Sequence, residues 1–266
     1  KNLCQRYCDL IGERILDTGI SVRKRVIKIL REFCIEFPEF EKCGEIAARI
    51  VRRINDDGEG IRRLVVDTCR DLWFSSNTNS STIKYKVHSL LHVIATMLND
   101  SSTIESMQSL FDQLVKPETM PIAQQICDCI VNDIFIDEMP QSTKMTQLSA
   151  IQCVSMMAQC CPQLMVKHCD TLQTFLSLPC ETLIEISLRT KVIQTIERVL
   201  PHVQNPSPHL LQRIEEDLTK NILQASANVI PSSVKCLSIL IKNHTKNRKL
   251  VIDLFNKFQL LLYQCR

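Results

Sequence analysis

Along residues 20–36, Val22, Val26, Ile29, Leu30 and Phe33 recur at i, i+4, i+7, i+8 and i+11. That spacing is one face of a 3.6-residue helix. Lys24, Lys28 and Arg31 repeat on the opposite face. Residues 182–201 have the same layout, with Leu188, Val192, Ile196 and Val199 as the apolar row. Prolines at 117, 121, 140, 162, 179, 201, 206, 208 and 231 punctuate the rest of the chain. A proline breaks a helix interior but is tolerated in the first turn, so these positions mark helix ends at intervals of about twenty residues. The pattern predicts helices over 2–16, 20–36, 39–55, 60–74, 83–99, 102–115, 119–137, 142–161, 163–177, 182–201, 207–229, 231–245 and 247–264.

Many short helices with tight connections predict an all-α chain of stacked helical hairpins, the α-solenoid plan. Glycine use agrees. There are five, at 12, 19, 44, 58 and 60, and none in the following 206 residues. Sandwiches, barrels and open parallel sheets need many φ > 0 turns, which this chain lacks the glycines to make. Gly-rich phosphate loops are excluded for the same reason. Internal repetition supports the solenoid. Asp17 precedes Arg23 by six residues, Asp56 precedes Arg62 by six, and an aliphatic residue stands before each Arg. The two copies are 39 residues apart, and Leu188-Arg189 and Val234-Lys235 keep the second half of the motif. Motif and period fit HEAT repeats, and the length predicts about six of them. Residues 1–266 read as a single solenoid segment of a larger protein, beginning without Met inside a helix. The polar run 75–82 reads as an exposed inter-repeat loop able to serve as a hinge.

Charge alters this picture only in its distribution. The net charge is +3. Residues 1–74 carry 15 basic and 13 acidic side chains, 75–182 carry 5 and 10, and 183–266 carry 12 and 6. A polyanion would prefer the ends. The 14 cysteines sit mostly among apolar neighbours, and in a chain this long they read as reduced core thiols of the cytosol or nucleus. The uncharged run 145–166 holds four Gln, two Ser, one Thr and one Pro, so it reads as a buried helix rather than a membrane span.

The candidate binding residues are basic. Lys24, Lys28 and Arg31, flanked by Arg25, form a cationic row along one helix. In a HEAT stack the second helix of each pair lines the concave surface, where such a row meets phosphates. Arg49, Arg52 and Arg53 lie on the next helix, and Arg62 and Arg63 open the one after it. The competing reading is a solvated face balanced by Glu32, Glu36, Glu45 and Glu59. Arg23 and Arg62, with Asp17 and Asp56, are expected to form a structural ladder of Arg–carboxylate bonds between repeats. Lys242, Lys246, Arg248 and Lys249 either meet an acidic partner or complement the preceding helix dipole. Trp73 and Phe74 are either a plug between repeats or an interaction anchor. No catalytic motif occurs. His88 and His92 lack the intervening Glu of H-E-x-x-H, so neither metal nor cofactor is expected.

The run from Glu13 to Arg31, ERILDTGISVRKRVIKILR, together with Arg52-Arg53-Ile54-Asn55-Asp56, Gly60-Ile61 and Leu72-Trp73-Phe74, resembles the Nipped-B, or adherin, family of cohesin loaders. The loop Asp57-Gly58-Glu59-Gly60 is a residue or two longer than in that family. The resemblance implies a hook-shaped HEAT-repeat protein of the nucleus, associated with chromatin, with no catalytic centre. It implies as partners the SMC–kleisin cohesin complex, double-stranded DNA, the remainder of the loader and the loader's partner subunit. It further implies stimulation of the cohesin ATPase. No membrane and no small-molecule substrate are implied. The alternative is a HEAT scaffold that binds only protein, like a nuclear-transport receptor or a phosphatase scaffold, with Asp128, Asp133, Asp137 and Glu138 receiving a basic peptide. An unrecognised enzyme is the remaining class.

Overall fold

The computed structural model describes residues 2–38, 40, 42–75, 80–136, 144–178, 180–224 and 228–264. Among the described residues there are thirteen α-helices and no strand. They are α1 (Asn2–Glu13), α2 (Ile20–Glu36), α3 (Cys43–Val51), α4 (Glu59–Trp73), α5 (Ser80–Met97), α6 (Ser101–Leu114), α7 (Met120–Ile130), α8 (Lys144–Cys160), α9 (Cys169–Thr174), α10 (Leu183–Val199), α11 (Pro208–Gln224), α12 (Ile230–Leu240) and α13 (Arg248–Gln264). Two compact units divide the chain, Lys1–Met165 and Val166–Arg266.

The first unit holds four hairpins, α1–α2 to α7–α8. Helix α2 packs on α4, α4 on α6 and α6 on α8, while α3 packs on α5 and α5 on α7. First helices therefore stack in one layer and second helices in another, which is the HEAT-type α-solenoid arrangement. The second unit repeats the scheme with hairpins α9–α10 and α11–α12, then α13. There α9 packs on α11 and α10 on α12.

Proline shapes the connections. Pro117, Pro162 and Pro201 sit at or near the start of short 3-10 segments, and Pro121, Pro208 and Pro231 lie in the first turns of α7, α11 and α12. A residue without an N–H loses nothing there, because first-turn amides have no intrahelical acceptor. Asp100 caps α6, accepting from the backbone N–H groups of Ser102 and Thr103. Thr182 and Glu185 form a reciprocal capping box on α10.

Several elements differ from the expected spans. Residues 39–55 are not one helix, because α3 ends at Val51 and winds into a 3-10 turn, Arg52–Asn55. Residues 163–177 are a 3-10 segment, Pro162–His168, followed by the six-residue α9. Helices α7 and α12 run on as π-wound turns, Val131–Ile136 and Ile241–Thr245. On α2 the buried side is Arg23, Val26, Ile27, Leu30 and Cys34. Val22 and Ile29, expected in the core, are exposed at 41% and 43%. The helix is rotated so that Arg23 reaches the next hairpin, and this carries Val22 and Ile29 toward α1.

Of the polar run 75–82, residues 76–79 lie outside the described residues, and residues 80–82 already belong to α5 rather than to a loop. Ser75 is tied to the buried Lys86, whose Nζ donates to its carbonyl oxygen (2.9 Å) and to its Oγ (2.8 Å). Desolvation lowers the Lys86 pKa. Trp73 and Phe74 are both buried in the core. The Trp73 indole N–H donates to Ser89 Oγ at 3.4 Å, and Phe74 meets Phe111 edge-on. Both are therefore a plug between hairpins, and neither side chain is available as a surface anchor. No described helix is long and apolar enough to cross a membrane, and the described cysteines carry no disulfide.

Candidate nucleic-acid and partner interface

The two Asp–Gly turns that begin α2 and α4 are built alike. Gly19 N–H donates to Asp17 Oδ1 at 2.9 Å, and Gly58 N–H donates to Asp56 Oδ1 at 3.0 Å. Arg23 Nη1 donates to the Asp17 and Thr18 carbonyl oxygens (2.8 and 3.1 Å), and Arg62 Nη1 to those of Asp56 and Asp57 (2.6 and 3.1 Å). The structure also brings Arg23 to the next hairpin. Its Nη2 donates to Asp56 Oδ1 at 3.0 Å and to Asp57 Oδ1 at 2.5 Å. Only Nη2 serves the next hairpin, because Nη1 is committed to its own turn. Arg62 meets no carboxylate among the described residues. The residue six after Asp100, the next helix-starting Asp, is Ser106 rather than Arg, so the ladder has one charged rung.

Asp56 is the centre of this rung. Its side chain is 2% exposed, and Arg53 Nη1 stands 3.8 Å from Oδ2. Burial pushes the carboxyl pKa up, but the Gly58 amide, Asp57 and Arg23 outweigh burial and hold it below the ordinary value.

The cationic row lies on the side of α2 that borders α4. Lys24 Nζ lies where a Cβ on Gly60 would run into it, so the missing side chain is what lets lysine lie there. Arg31 is held by Asp71, whose Oδ2 accepts from Nη2 at 2.6 Å and from Nε at 3.1 Å, and its Nη1 also donates to Glu32 at 3.1 Å. Further along α4, Arg63 pairs with Glu59 (2.7 Å) and Arg70 with Asp67 (2.9 Å). Lys24 and Lys28 keep no carboxylate partner among the described residues.

The remaining candidates sit elsewhere. Arg25 is on the other side of α2, where it and Arg14 line a groove of about 430 Å³ floored by Leu10, Ile11, Val26 and Ile29. Arg49 lies over Gly12 of α1, with Nη1 2.6 Å from where a Cβ would be. Arg52 Nε donates to Thr103 Oγ1 of α6 at 3.2 Å. Arg53 is turned toward Asp56, with its Nε buried and unbonded. The eight basic candidates therefore do not form one surface. The sequence alone does not single out Asp71 or Asp57 as partners of the basic residues. The signal for Asp71 is the repeat offset, because it stands 40 residues after Arg31.

His88 and His92 line a cavity of about 400 Å³ with Cys129 and Asp133. The His92 ring is turned to α3, where it packs against the bare Cα of Gly44, and Asp133 is paired with Lys84 at 3.0 Å. Among the described residues no three His, Cys, Asp or Glu side chains are placed to hold a metal ion.

No protein-family model matches the chain. The Nipped-B protein of Drosophila melanogaster is 32% identical over 285 residues, taking in 98% of this chain and 14% of that protein. The Nipped-B-like protein of Homo sapiens is 34% identical over 272 residues, taking in 96% of this chain and 10% of that protein. Among solved structures, the Chaetomium thermophilum cohesin loader SCC2, C-terminal fragment, superimposes with a TM-score of 0.72 at 15% identity, covering 91% of this chain and 18% of that one. That likeness is one of fold. The chain spans about a tenth to a seventh of the length of these curated relatives. With 32–34% identity to these proteins along 96–98% of its length, the chain belongs to the Nipped-B family.

Proposed function

We propose that the chain is a non-enzymatic segment of a cohesin loader, acting in the nucleus at chromatin. It helps bring the SMC–kleisin cohesin ring onto DNA by contacting both, and it contributes to stimulation of the cohesin ATPase within the whole loader. The observation that carries this reading is the 32–34% identity with Nipped-B proteins along 96–98% of the chain. DNA contact is assigned to the α2 row. Lys24 and Lys28 have no carboxylate partner among the described residues, whereas Arg31 and Arg63 are occupied by Asp71 and Glu59. A phosphate that replaces the counterions of two unpaired lysines gains salt-dependent affinity, whereas one meeting Arg31 must first displace a carboxylate.

The test is duplex-DNA binding by fluorescence anisotropy across a salt series, with wild type beside Lys24→Glu/Lys28→Glu and both checked by circular dichroism. The reading expects a steep log-affinity against log-salt slope that shallows by about 2 in the variant, one unit per phosphate contact. Absence of DNA binding at low salt, or an unchanged slope in the folded variant, overturns the DNA assignment. A cohesin-subunit pull-down then tests the protein half of the reading separately.

A further inference from the structure

We infer that Cys34 and Cys43 form a redox-sensitive thiol pair, oxidised by a peroxide to an intramolecular disulfide that ties the first hairpin to the second. Cys34 lies in the last turn of α2, and Cys43 is the first residue of α3. Their thiols are hydrogen-bond partners, and Cys34 Sγ stands 4.0 Å from the Cys43 carbonyl oxygen. Disulfides of a reducing compartment are transient, redox-sensing bonds of this kind.

The connection between the helices holds the two thiols together. Phe37 and Phe40 both pack against Phe33 of α2, with ring centroids 5.2 and 5.0 Å apart. Cys43 Sγ donates to the Phe37 carbonyl oxygen at 3.2 Å. The neighbouring Lys42 is anchored to Asp9 of α1 at 2.7 Å. Two sulfurs already held side by side lose little freedom when they join.

Exposure assigns each thiol its part. Cys43 is half-buried and lines a cavity of about 190 Å³ rimmed by the exposed His88 and His92 of α5. That space admits a molecule little larger than water. Its walls are α5 and the connection into α3, within the stack of hairpins. Cys34 lies behind Cys43 and is 7% exposed. The lowered pKa of Cys43 favours its thiolate, the nucleophilic form. Cys34 is pushed well above the ordinary thiol value, first by its hydrogen bond to Cys43 and then by burial. The first of these causes disappears once Cys43 is oxidised. Cys129 and Cys160, also half-buried, instead face the carboxylates of Asp133 and Asp112. Burial, then that carboxylate, pushes both of them up to about 12.

The Cys43 thiolate attacks one oxygen of hydrogen peroxide. The O–O bond breaks, and the departing oxygen takes a proton and leaves as water, with a sulfenic acid on Cys43. The Cys34 sulfur then attacks the Cys43 sulfur. The S–S bond forms, the S–O bond breaks, and hydroxide leaves with the Cys34 proton as a second water. Two electrons pass from the thiol pair to the peroxide.

The probe is hydrogen peroxide on the reduced whole chain at neutral pH, followed by N-ethylmaleimide, trypsin without reductant, and peptide mass spectrometry. Trypsin cuts between the two cysteines at Lys42, so the bond appears as two peptides joined. The inference expects that joined pair, two hydrogen atoms lighter than its parts and separated again by dithiothreitol. Cys43 is expected to react at least about tenfold faster than Cys153 or Cys236. In Cys34→Ala the Cys43 sulfenic acid is expected to persist and to be captured by dimedone, and in Cys43→Ser Cys34 is expected to stay a free thiol. Where Cys34→Ala melts earlier than wild type, the wild-type map and Cys43→Ser decide. Oxidation of Cys43 to the sulfinic acid with no disulfide overturns the inference. So does a bond from Cys34 to Cys8 or Cys69, or a Cys43–Cys43 bond between two chains. A folded chain whose Cys43 does not react overturns it as well.

Discussion

Arg23 Nη2 lies 3.0 Å from Asp56 Oδ1 across 33 residues, and the two side chains are 8% and 2% exposed. The bond ties the second helix of one hairpin to the turn of the next. Its strength lies in what its loss would leave behind. Removing one member of a buried pair strands the other charge in a poor dielectric, at a cost of about 3–5 kcal/mol. Asp57, 81% exposed, also accepts from Arg23 and softens that cost. Asp56→Ala is therefore expected to destabilise the chain by about 3 kcal/mol, and Asp57→Ala by about 0.5 kcal/mol. Urea unfolding of the two variants checks the order, and a larger loss in Asp57→Ala would place the main bond at Asp57.

The same carboxylate sets an acid dependence. The folded pKa of Asp56 is lowered, against burial, by the Gly58 amide, Asp57 and Arg23. A carboxyl depressed in the folded state contributes stability above its unfolded pKa of about 3.9, and that contribution is lost as pH falls through the folded value. Asp56→Asn keeps an acceptor for Gly58 but has no charge to titrate. Melting temperature followed from pH 6 down to pH 3 is expected to fall more steeply in wild type than in Asp56→Asn. Parallel curves would assign the acid sensitivity to other carboxylates.

Periodicity made the helices legible because each must bury one stripe. The span 20–36 is found unchanged as α2. The side it buries was less legible. Val22 and Ile29 match the apolar period but are exposed, whereas Arg23 is buried because its charge is met by a residue 33 positions away. The 3-10 and π turns after α3, α7 and α12 were not legible either, since hydrophobic spacing alone does not separate one helical winding from another. At the candidate site, the sequence reveals which cations lie on a common face. It conceals which of them a neighbouring repeat has neutralised, as Asp71 does Arg31.

Gly44 is where α3 meets the ring of His92 on α5. An added methyl would overlap that ring, so either the histidine leaves or the helices part. Overpacking of this kind costs about 1–3 kcal/mol. Gly44→Ala is expected to destabilise within that range, and His92→Ala is expected to recover most of the loss when combined with it. A double-mutant cycle by thermal melting reads the coupling. An additive double variant would mean that the methyl is resisted by backbone instead.

Thiol reactivity separates the cysteines. Cys43 is half-buried, and its pKa is lowered first by the neighbouring Cys34 thiol, against desolvation, with the Phe40 amide assisting. Cys69, Cys153 and Cys236 are buried and their pKa values are raised by desolvation. Since the thiolate is the nucleophile, brief alkylation of the folded chain at neutral pH is expected to modify Cys43 ahead of those three. Peptide mass spectrometry reads the order. Simultaneous modification of all four would indicate reaction through global unfolding.

Asp71 decides how far the α2 cationic row extends. It accepts from Arg31 at 2.6 Å in a pair that is 31% and 44% exposed, so the bond adds about 0.5 kcal/mol or less to stability. Its larger effect is to occupy a charge otherwise available to phosphate. Arg31→Gln is accordingly expected to leave duplex-DNA affinity within about twofold of wild type, because that cation is already neutralised. Asp71→Asn removes the carboxylate that accepts from two nitrogens of Arg31 and leaves only the exposed Glu32 beside it, so Arg31 can join Lys24 and Lys28, and the variant is expected to strengthen binding and steepen the salt slope by up to about 1. The two variants change the pair from opposite ends while disturbing stability little, so the binding difference reports on Arg31 alone. If Asp71→Asn leaves the slope unchanged while Lys24→Glu flattens it, phosphate contact ends at Lys28 and the Arg31–Asp71 pair serves only to join α2 to α4.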